Sequence, residues 1–230
     1  MTPGRPSGID WKRVKGVVFD LDGTLYDQRG LRLRMLLELA GHIFRSRHAV
    51  RDIRVLSRFR KAREELSAAG ADNISRRQLD MTAEKLSLPP AVVEEIAAEW
   101  LYRRPLKHLS ACRFTEADVF FGLLRNRGVK IGVFSDYPVE EKLAALGLRA
   151  DAICYSLEPG LDRLKPQTPG LEAVLARLSL NKKDCVFIGD RDELDGECAR
   201  RLGMPFLLRR GHDFYTDAVS EFSRAFRQEK

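Results

Sequence analysis

The 230-residue sequence has few cysteines, few aromatic residues and no long apolar run. Its four cysteines contain no CxxC pair and are too sparse for a disulfide framework. No stretch approaches the ~18 consecutive apolar residues of a membrane span, and the N-terminal residues lack the apolar segment of a signal peptide. The four histidines are scattered and indicate no metal site. We therefore expect a cytoplasmic globular protein, with 44% hydrophobic residues available for a core.

The formal net charge of +7 arises from one segment of the chain. Residues 28–65 carry 11 basic and 4 acidic side chains, whereas the rest of the chain has 29 of each. Three explanations stay open: a solvated outer face, arginines that bind a second anionic group of a substrate, or a nucleic-acid surface. Nucleic acid is the least favoured partner, because no interleaved set of aromatic residues accompanies the charge. Tyr102, Arg103 and Arg104 are further candidates for substrate specificity.

Short apolar runs alternate with helical patterns, which is typical of a parallel sheet with crossover helices. Five runs are predicted strands, at residues 14–19, 130–134, 151–155, 185–188 and 205–208. The first two are separated by roughly 110 residues of helical periodicity, far more than the ~30 residues of a whole βαβ unit. We therefore expect an α/β fold: a Rossmann-like, three-layer parallel-sheet core at residues 1–26 and 107–230, with an inserted all-helical domain at residues 27–106.

About four helices are predicted in the insertion, the last running to about residue 102. The first of them has an apolar face formed by Leu33, Leu36, Leu37, Ala40 and Phe44. This spacing is typical of a helix that buries one side against its neighbours.

Acidic and hydroxyl residues follow three of the predicted strands directly. They are Asp20, Asp22 and Thr24 after the first strand, with Gly23 between the last two, Ser135 and Asp136 after the second, and Asp190 after the fourth, with Asp195 five residues further on. Lys165 lies in the loop after the third strand. Because ligands of open parallel sheets bind outside the carboxyl ends of the strands, we expect these side chains to converge.

Such a cluster has a specific chemistry. Carboxylates of Asp20, Asp22 and Asp190 would repel one another unless a cation held them. Oxygen ligands from separate loops, with room for water and phosphate oxygens, suit Mg²⁺ better than a closed Ca²⁺ cage. Ser135 and Lys165 would supply a hydroxyl donor and a positive charge to a phosphoryl oxygen. Two carboxylates at i and i+2 can divide the roles of nucleophile and proton donor.

These residues also resemble a known family. FDLDGTL at residues 19–25, FSD at 134–136, Lys165-Pro166 and IGDRDELD at 188–195 resemble the four motifs of the haloacid dehalogenase superfamily, in the same order. The resemblance runs from about residue 14 to residue 208. The helical insertion matches the position of the C1-type cap of that family.

The resemblance implies a catalytic role for four residues. Asp20 would attack the phosphorus atom and form an aspartyl-phosphate intermediate. Asp22 would protonate the leaving oxygen and then activate the water that hydrolyses the intermediate. Ser135 would hydrogen-bond the transferring phosphoryl group, and Lys165 would neutralise charge beside it.

The resemblance also implies a metal site and substrate contacts. Mg²⁺ would be held by the Asp20 side chain, the Asp22 backbone carbonyl and the Asp190 side chain, with Asp195 supporting directly or through water. Gly23 and Thr24 would shape the turn, and together with Asp136 they are candidate substrate-binding residues. Each residue has a structural alternative: Asp22 and Thr24 as turn formers, and Asp136, Asp190 and Asp195 as local or helix-start caps. For Arg191, solvated surface and positive charge at the mouth of the site both stay open.

Asp22 separates two reactions within the family, because members that cleave carbon–halogen bonds lack an acid at the second position. The sequence therefore predicts a Mg²⁺-dependent phosphomonoester hydrolase for a small phosphorylated metabolite, with no membrane partner. A phosphotransferase or mutase of the same superfamily is an alternative that the motifs do not separate. A third, non-enzymatic alternative is a protein of this fold whose basic helices bind nucleic acid or a protein.

Overall fold

A computed structural model describes residues 8–227. One sheet of five parallel strands has the order β3-β2-β1-β4-β5. Its strands are β1 (Gly16–Phe19), β2 (Lys130–Ser135), β3 (Ala152–Tyr155), β4 (Cys185–Gly189) and β5 (Phe206–Leu208). All five predicted strands are confirmed to within two residues, and so is the α/β class.

Helices cover both faces of the sheet. They are α1 (Gln28–Arg45), α2 (Ala49–Ala68), α3 (Ile74–Leu86), α4 (Pro90–Ala97), α5 (Arg104–Leu109), α6 (Thr115–Asn126), α7 (Glu140–Leu146), α8 (Pro169–Leu178), α9 (Glu197–Leu202) and α10 (Phe214–Ala225). Within residues 8–227, no helix is both long enough and apolar enough to cross a membrane.

All four residues of the central strand β1 are buried. Since successive side chains of a strand point to opposite faces, both sides of β1 are covered. Val17 and Phe19 belong to a cluster with apolar residues of α6 and α10. Val18 belongs to a second cluster with residues of α8 and α9. The sheet is therefore the middle of three layers, as the sequence predicts.

Helices α1 to α5 occupy the long connection between β1 and α6. Four helices are predicted there, but the fourth does not end near residue 102. It continues through a π-helical turn, Ala98–Arg103, into α5. Pro105, in the first turn of α5, explains the wide turn, because a proline has no N–H to donate and crowds the preceding carbonyl of a regular helix.

The apolar face predicted on α1 is exposed rather than buried, which corrects the sequence-based expectation. The exposed fractions are 59% for Leu33, 61% for Leu36, 65% for Leu37 and 89% for Phe44. The opposite side of α1 contacts the protein. There Leu31 is buried, and Glu38 pairs with Lys107 (2.6 Å, Oε1 to Nζ) and with His108. Periodicity identifies the two sides of a helix but not which of them docks.

Candidate active site

The predicted site residues lie at one edge of the sheet. Strands β2, β1 and β4 are neighbours, and Phe19 is level with Val133 on one side and Ile188 on the other. The chain therefore leaves all three strands within about two residues of the same level. Parallel strands produce this convergence because their carboxyl ends share an edge.

The carboxylate of Asp20 is held on both oxygens. Its Oδ2 accepts a hydrogen bond from Thr24 Oγ1 at 2.9 Å, and its Oδ1 accepts one from Lys165 Nζ. Thr24 is itself fixed, because Tyr215 donates its hydroxyl to the Thr24 backbone carbonyl at 2.8 Å. Asp20 is only 3% exposed. The turn after β1 thus presents a buried carboxylate in one defined orientation.

Lys165 joins two acidic residues from different loops. Its Nζ donates to Asp20 and also, at 2.7 Å, to Oδ1 of Asp195. The side chain has no exposed surface. Burial alone would lower the pKa of Lys165, but the adjacent carboxylates outweigh burial and raise it. The ammonium group therefore stays charged beside Asp20.

Asp136 fixes the loop that carries Lys165. Its Oδ1 accepts hydrogen bonds from Ser156 Oγ at 2.6 Å and from the Lys165 backbone N–H at 3.0 Å. Its Oδ2 lies 4.0 Å from Nη2 of Arg191, whose Nε is 3.9 Å from Oδ1 of Asp190. Arg191 thus lies beside two residues of the site while 44% of its side chain is exposed, so both of its sequence-based interpretations stay open. The observed bonds of Asp136 are structural, and its contact with a substrate stays a prediction.

Asp22 has a cationic partner that the sequence did not indicate. Nζ of Lys142, in α7, lies 2.5 Å from Asp22 Oδ1, and Tyr26 donates its hydroxyl to the same oxygen. Ser135 Oγ donates to Asp22 Oδ2 at 3.3 Å. Burial would raise the pKa of Asp22, but Lys142 and Tyr26 outweigh it and hold the pKa below its usual value. Both oxygens of Asp22 are therefore engaged, and its surroundings favour the carboxylate over the protonated form.

Three carboxylates form the candidate metal centre. Asp20, Asp190 and Asp195 each offer one oxygen within 4.8 Å of the others. Burial, reinforced by these neighbouring carboxylates, raises the pKa of Asp20 to about 8 despite the opposing charge of Lys165. Asp190 Oδ1 is buried and has no hydrogen-bond partner among the described residues. A crowded set of carboxylates with a buried oxygen that accepts no hydrogen bond fits a hard divalent cation.

Asp195 differs from the other two members of this set. Its Oδ1 accepts from Lys165, and its Oδ2 accepts from the backbone N–H of Arg191 at 3.1 Å. Both of its oxygens are therefore engaged by the protein. This arrangement suits a residue that orients the loop and Lys165 better than one that gives a free oxygen to a metal ion.

Gly23 brings the first and fourth motifs into contact. Its φ of 94° is a conformation that residues with a side chain rarely adopt. A Cβ atom at this position would overlap the carboxylate of Asp190. The glycine therefore allows the turn after β1 to lie directly against the loop after β4.

Two residues of the site were missed from the sequence. Lys142 is the single basic residue of α7, and Tyr26 follows Asp22 by four residues, directly after the first motif. Each had a weak signal: a basic residue in an otherwise acidic and apolar helix, and a hydroxyl near the end of a turn. Neither pattern specifies a partner in another loop.

Comparisons with known proteins agree with this geometry. A family model for haloacid dehalogenase-like hydrolases matches residues 14–203. The chain is 36% identical over 80 residues to a probable D-glycero-D-manno-heptose-1,7-bisphosphate 7-phosphatase from Thermoplasma volcanium. That match covers 34% of this chain and 54% of the relative, so the chain spans about half the length of the curated relative.

Two solved structures share the fold. A HAD phosphatase from Thermococcus onnurineus has 19% identity and a TM-score of 0.54, over 84% of this chain and 85% of that one. A 2-haloacid dehalogenase from Pseudomonas syringae pv. Tomato DC3000 has 20% identity and a TM-score of 0.58, also over 84% and 85%. Phosphatase and dehalogenase folds match equally well, so the fold does not separate the two reactions. The family model spans most of the chain and includes every strand-end residue of the site, and the chain belongs to the haloacid dehalogenase-like hydrolases.

Proposed function

We propose that the protein is a Mg²⁺-dependent phosphomonoester hydrolase that acts on a small phosphorylated metabolite of the sugar phosphate type. The observation that carries this proposal is Asp22, a carboxylate two residues after Asp20 that lies beside Ser135 in the same buried site. A second carboxylate supplies the acid and base that phosphoryl transfer to water requires. The probable heptose-bisphosphate phosphatase among the relatives supports a phosphorylated sugar as substrate.

Asp20 is the proposed nucleophile. An oxygen of its carboxylate forms a bond to phosphorus while the ester P–O bond breaks, and Asp22, reacting from its protonated form, gives that proton to the leaving oxygen. In the second step Asp22 takes a proton from water, the water oxygen bonds to phosphorus, and the Asp20 carboxylate is released. Thr24 and Lys165 orient Asp20 before the reaction, and Lys165 and Ser135 stabilise the negative charge of the phosphoryl oxygens.

The residues proposed to hold Mg²⁺ are Asp20, Asp190 and the backbone carbonyl of Asp22, with Asp195 as support. The ion would neutralise phosphoryl charge and orient the group for in-line attack. The Oδ1 of Asp190, which is buried and accepts no hydrogen bond among the described residues, and the raised pKa of Asp20 support this assignment.

We further propose that the inserted helices, residues 27–106, act as a cap over a core of residues 1–26 and 107–230. Two contacts support this. Arg63 of α2 donates to the backbone carbonyl of Asp136 at 3.2 Å, and Asp72 forms an ion pair of 2.7 Å with Arg163, two residues before Lys165. The proposed boundary at residue 106 falls inside α5, so the helical run crosses it without a break.

Hydrolysis of p-nitrophenyl phosphate by the purified protein with Mg²⁺ tests the proposal. Activity is expected in the wild type and in Asp192→Asn, whose half-exposed side chain pairs with Arg200 outside the site. Asp20→Asn is expected to abolish it, because an amide is a poor nucleophile. Persisting activity in Asp20→Asn would overturn the mechanism. Release of free phosphate from a sugar phosphate, without a new phosphorylated sugar, separates a hydrolase from a phosphotransferase.

A further inference from the structure

Arg63 is a buried cation without a carboxylate partner. It is 7% exposed, and among the described residues no ion pair involves it. Its Nη1 donates to the Asp136 backbone carbonyl at 3.2 Å, and its Nε donates to Gln78 Oε1 at 3.4 Å. Its Nη2 is buried and makes no hydrogen bond within the described part of the chain. Burying a guanidinium group in this way is unfavourable unless an anion completes its bonding.

The basic segment as a whole does not share this environment. Of its eleven basic residues, Arg63 is the one that is buried. The others are exposed or partly exposed, and two of those partly exposed pair with nearby acids: Arg51 with Asp52 at 2.9 Å and Arg58 with Glu65 at 3.0 Å. Solvation and local ion pairs therefore explain most of the positive charge. They do not explain Arg63.

The guanidinium group lies next to the proposed reaction centre. Its central carbon is 4.2 Å from the centre of the Tyr137 ring, two residues after Ser135. Nζ of Lys142 is 5.1 Å from the centre of the same ring and 2.5 Å from Asp22. One aromatic ring thus lies beside both Arg63 and the lysine that contacts the proposed acid–base residue.

A second tyrosine borders the same place. Tyr102, in the π-helical turn, has its ring centre 6.4 Å from that of Tyr137. Burial raises the pKa of its phenol, and the positive charge of Arg63 opposes this effect. Its neighbours Arg103 and Arg104 instead pair with Glu95 and Glu99. Of the three candidates at the end of the insertion, Tyr102 is the one that lies at the site.

We propose that Arg63, bordered by Tyr102 and Tyr137, binds a second anionic group of the substrate while Asp20 attacks the phosphoryl group. The backbone carbonyl of Asp136 and the Tyr137 ring fix the guanidinium plane, and Nη2 is left for the ligand. A planar guanidinium suits a phosphate or a carboxylate equally. The subsite rests on the proposed function. It narrows the proposed substrates to small phosphorylated metabolites with a second phosphate or a carboxylate.

Two matched pairs of substrates test the subsite. Comparing fructose 1,6-bisphosphate with fructose 6-phosphate measures the effect of a second phosphate. Comparing 3-phosphoglycerate with glycerol 3-phosphate measures the effect of a carboxylate. The wild type is expected to prefer the doubly anionic member of at least one pair by about tenfold or more in kcat/KM. Arg63→Met is expected to reduce that preference to about one. Arg63→Lys keeps the positive charge but not the planar group with paired N–H donors, and is expected to give an intermediate preference.

Arg60→Met is the matched control, because Arg60 lies on the same helix and is exposed. It is expected to leave both activity and preference unchanged. A wild type without preference in either pair, or an Arg63→Met variant that keeps the preference, overturns the subsite. Calorimetric binding of the four compounds to Asp20→Asn gives a readout that needs no turnover. Absence of p-nitrophenyl phosphate hydrolysis by the wild type would refute the proposed function. Equal binding of both members of each pair by Asp20→Asn would refute the subsite alone.

Discussion

Nζ of Lys142 lies 2.5 Å from Oδ1 of Asp22, although 120 residues separate the two in the chain. Each side chain is 10% exposed. Helix α7 brings the lysine back to the carboxyl edge of the sheet after the loop that carries Ser135. The two aspartates of the first motif therefore have separate cations, Lys165 beside Asp20 and Lys142 beside Asp22. Lys165 is the main cation that lowers the pKa of Asp20, and Lys142 is the main cation that lowers the pKa of Asp22.

Replacing Lys142 by Met is expected to slow hydrolysis and shift its pH profile. Lys142 lowers the pKa of Asp22 against the effect of burial, so its removal raises that pKa. The ionised form that activates water then appears only at higher pH. The acidic limb of kcat is expected to move upward in pH, with about a tenfold loss near neutrality. The measurement is kcat between about pH 4 and 9.

Two controls accompany this experiment. Lys142→Arg keeps a positive charge near Asp22 and is expected to retain most of the wild-type profile. Glu141→Gln changes an exposed neighbour on α7 and is expected to have no effect. An acidic limb that stays in place in Lys142→Met would show that Lys142 does not control Asp22.

Asp190→Asn is expected to weaken Mg²⁺ binding. The substitution removes one of three carboxylates that lie within 4.8 Å of one another. The Mg²⁺ concentration for half-maximal activity should rise by about tenfold or more. Mg²⁺ should also raise the melting temperature of the wild type, because a ligand that binds the native state stabilises it. An equal rise in Asp190→Asn would place the ion elsewhere.

Gly23→Ala is expected to destabilise the protein by about 1–3 kcal/mol. The backbone φ of 94° and the contact of a Cβ atom with Asp190 both oppose a side chain. Urea unfolding measures the effect. Gly122→Ala is the matched control, because it lies within α6 and a Cβ atom there meets nothing within 4 Å. That variant is expected to gain up to about 1 kcal/mol from helix propensity.

Phe44→Ser is expected to leave the free energy of unfolding within about 0.5 kcal/mol of the wild type. The ring is 89% exposed, so little apolar burial is lost. Leu31→Ala, on the buried side of the same helix, should cost about 2–5 kcal/mol. A large loss in Phe44→Ser would mean that the apolar face of α1 is covered in solution.

The sheet could be predicted from the sequence because each strand is a short, buried apolar run with a polar residue at its carboxyl end. The insertion was predicted less well. A wide turn before Pro105 lets the fourth helix continue, whereas in a sequence a proline at this position equally indicates the end of a helix. The exposed side of α1 could not be predicted either, since the contacts of Glu38 with α5 decide its orientation.

Some residues of the site could also be predicted from the sequence, and others could not. Asp20, Ser135 and Asp190 could be placed together because they end adjacent strands, and topology alone determines that placement. Lys142 and Arg63 come from helices and carry no motif. In the sequence, Arg63 is one of eleven similar basic residues. Only packing shows that its guanidinium group is buried beside Tyr137.

The connections between the inserted helices and the sheet contain almost no loop. Asp27 caps α1 directly after the first motif, accepting from the Arg29 backbone N–H at 3.0 Å. On the other side, helical turns run from Pro90 to Cys112 with little interruption. Asp20 and Lys165 are both buried, so a cap of the proposed kind that opens for substrate would bend at a helix rather than swing on a loop. We expect the π-helical turn at Ala98–Arg103 to be the compliant point, and its stiffness to set how fast product can leave.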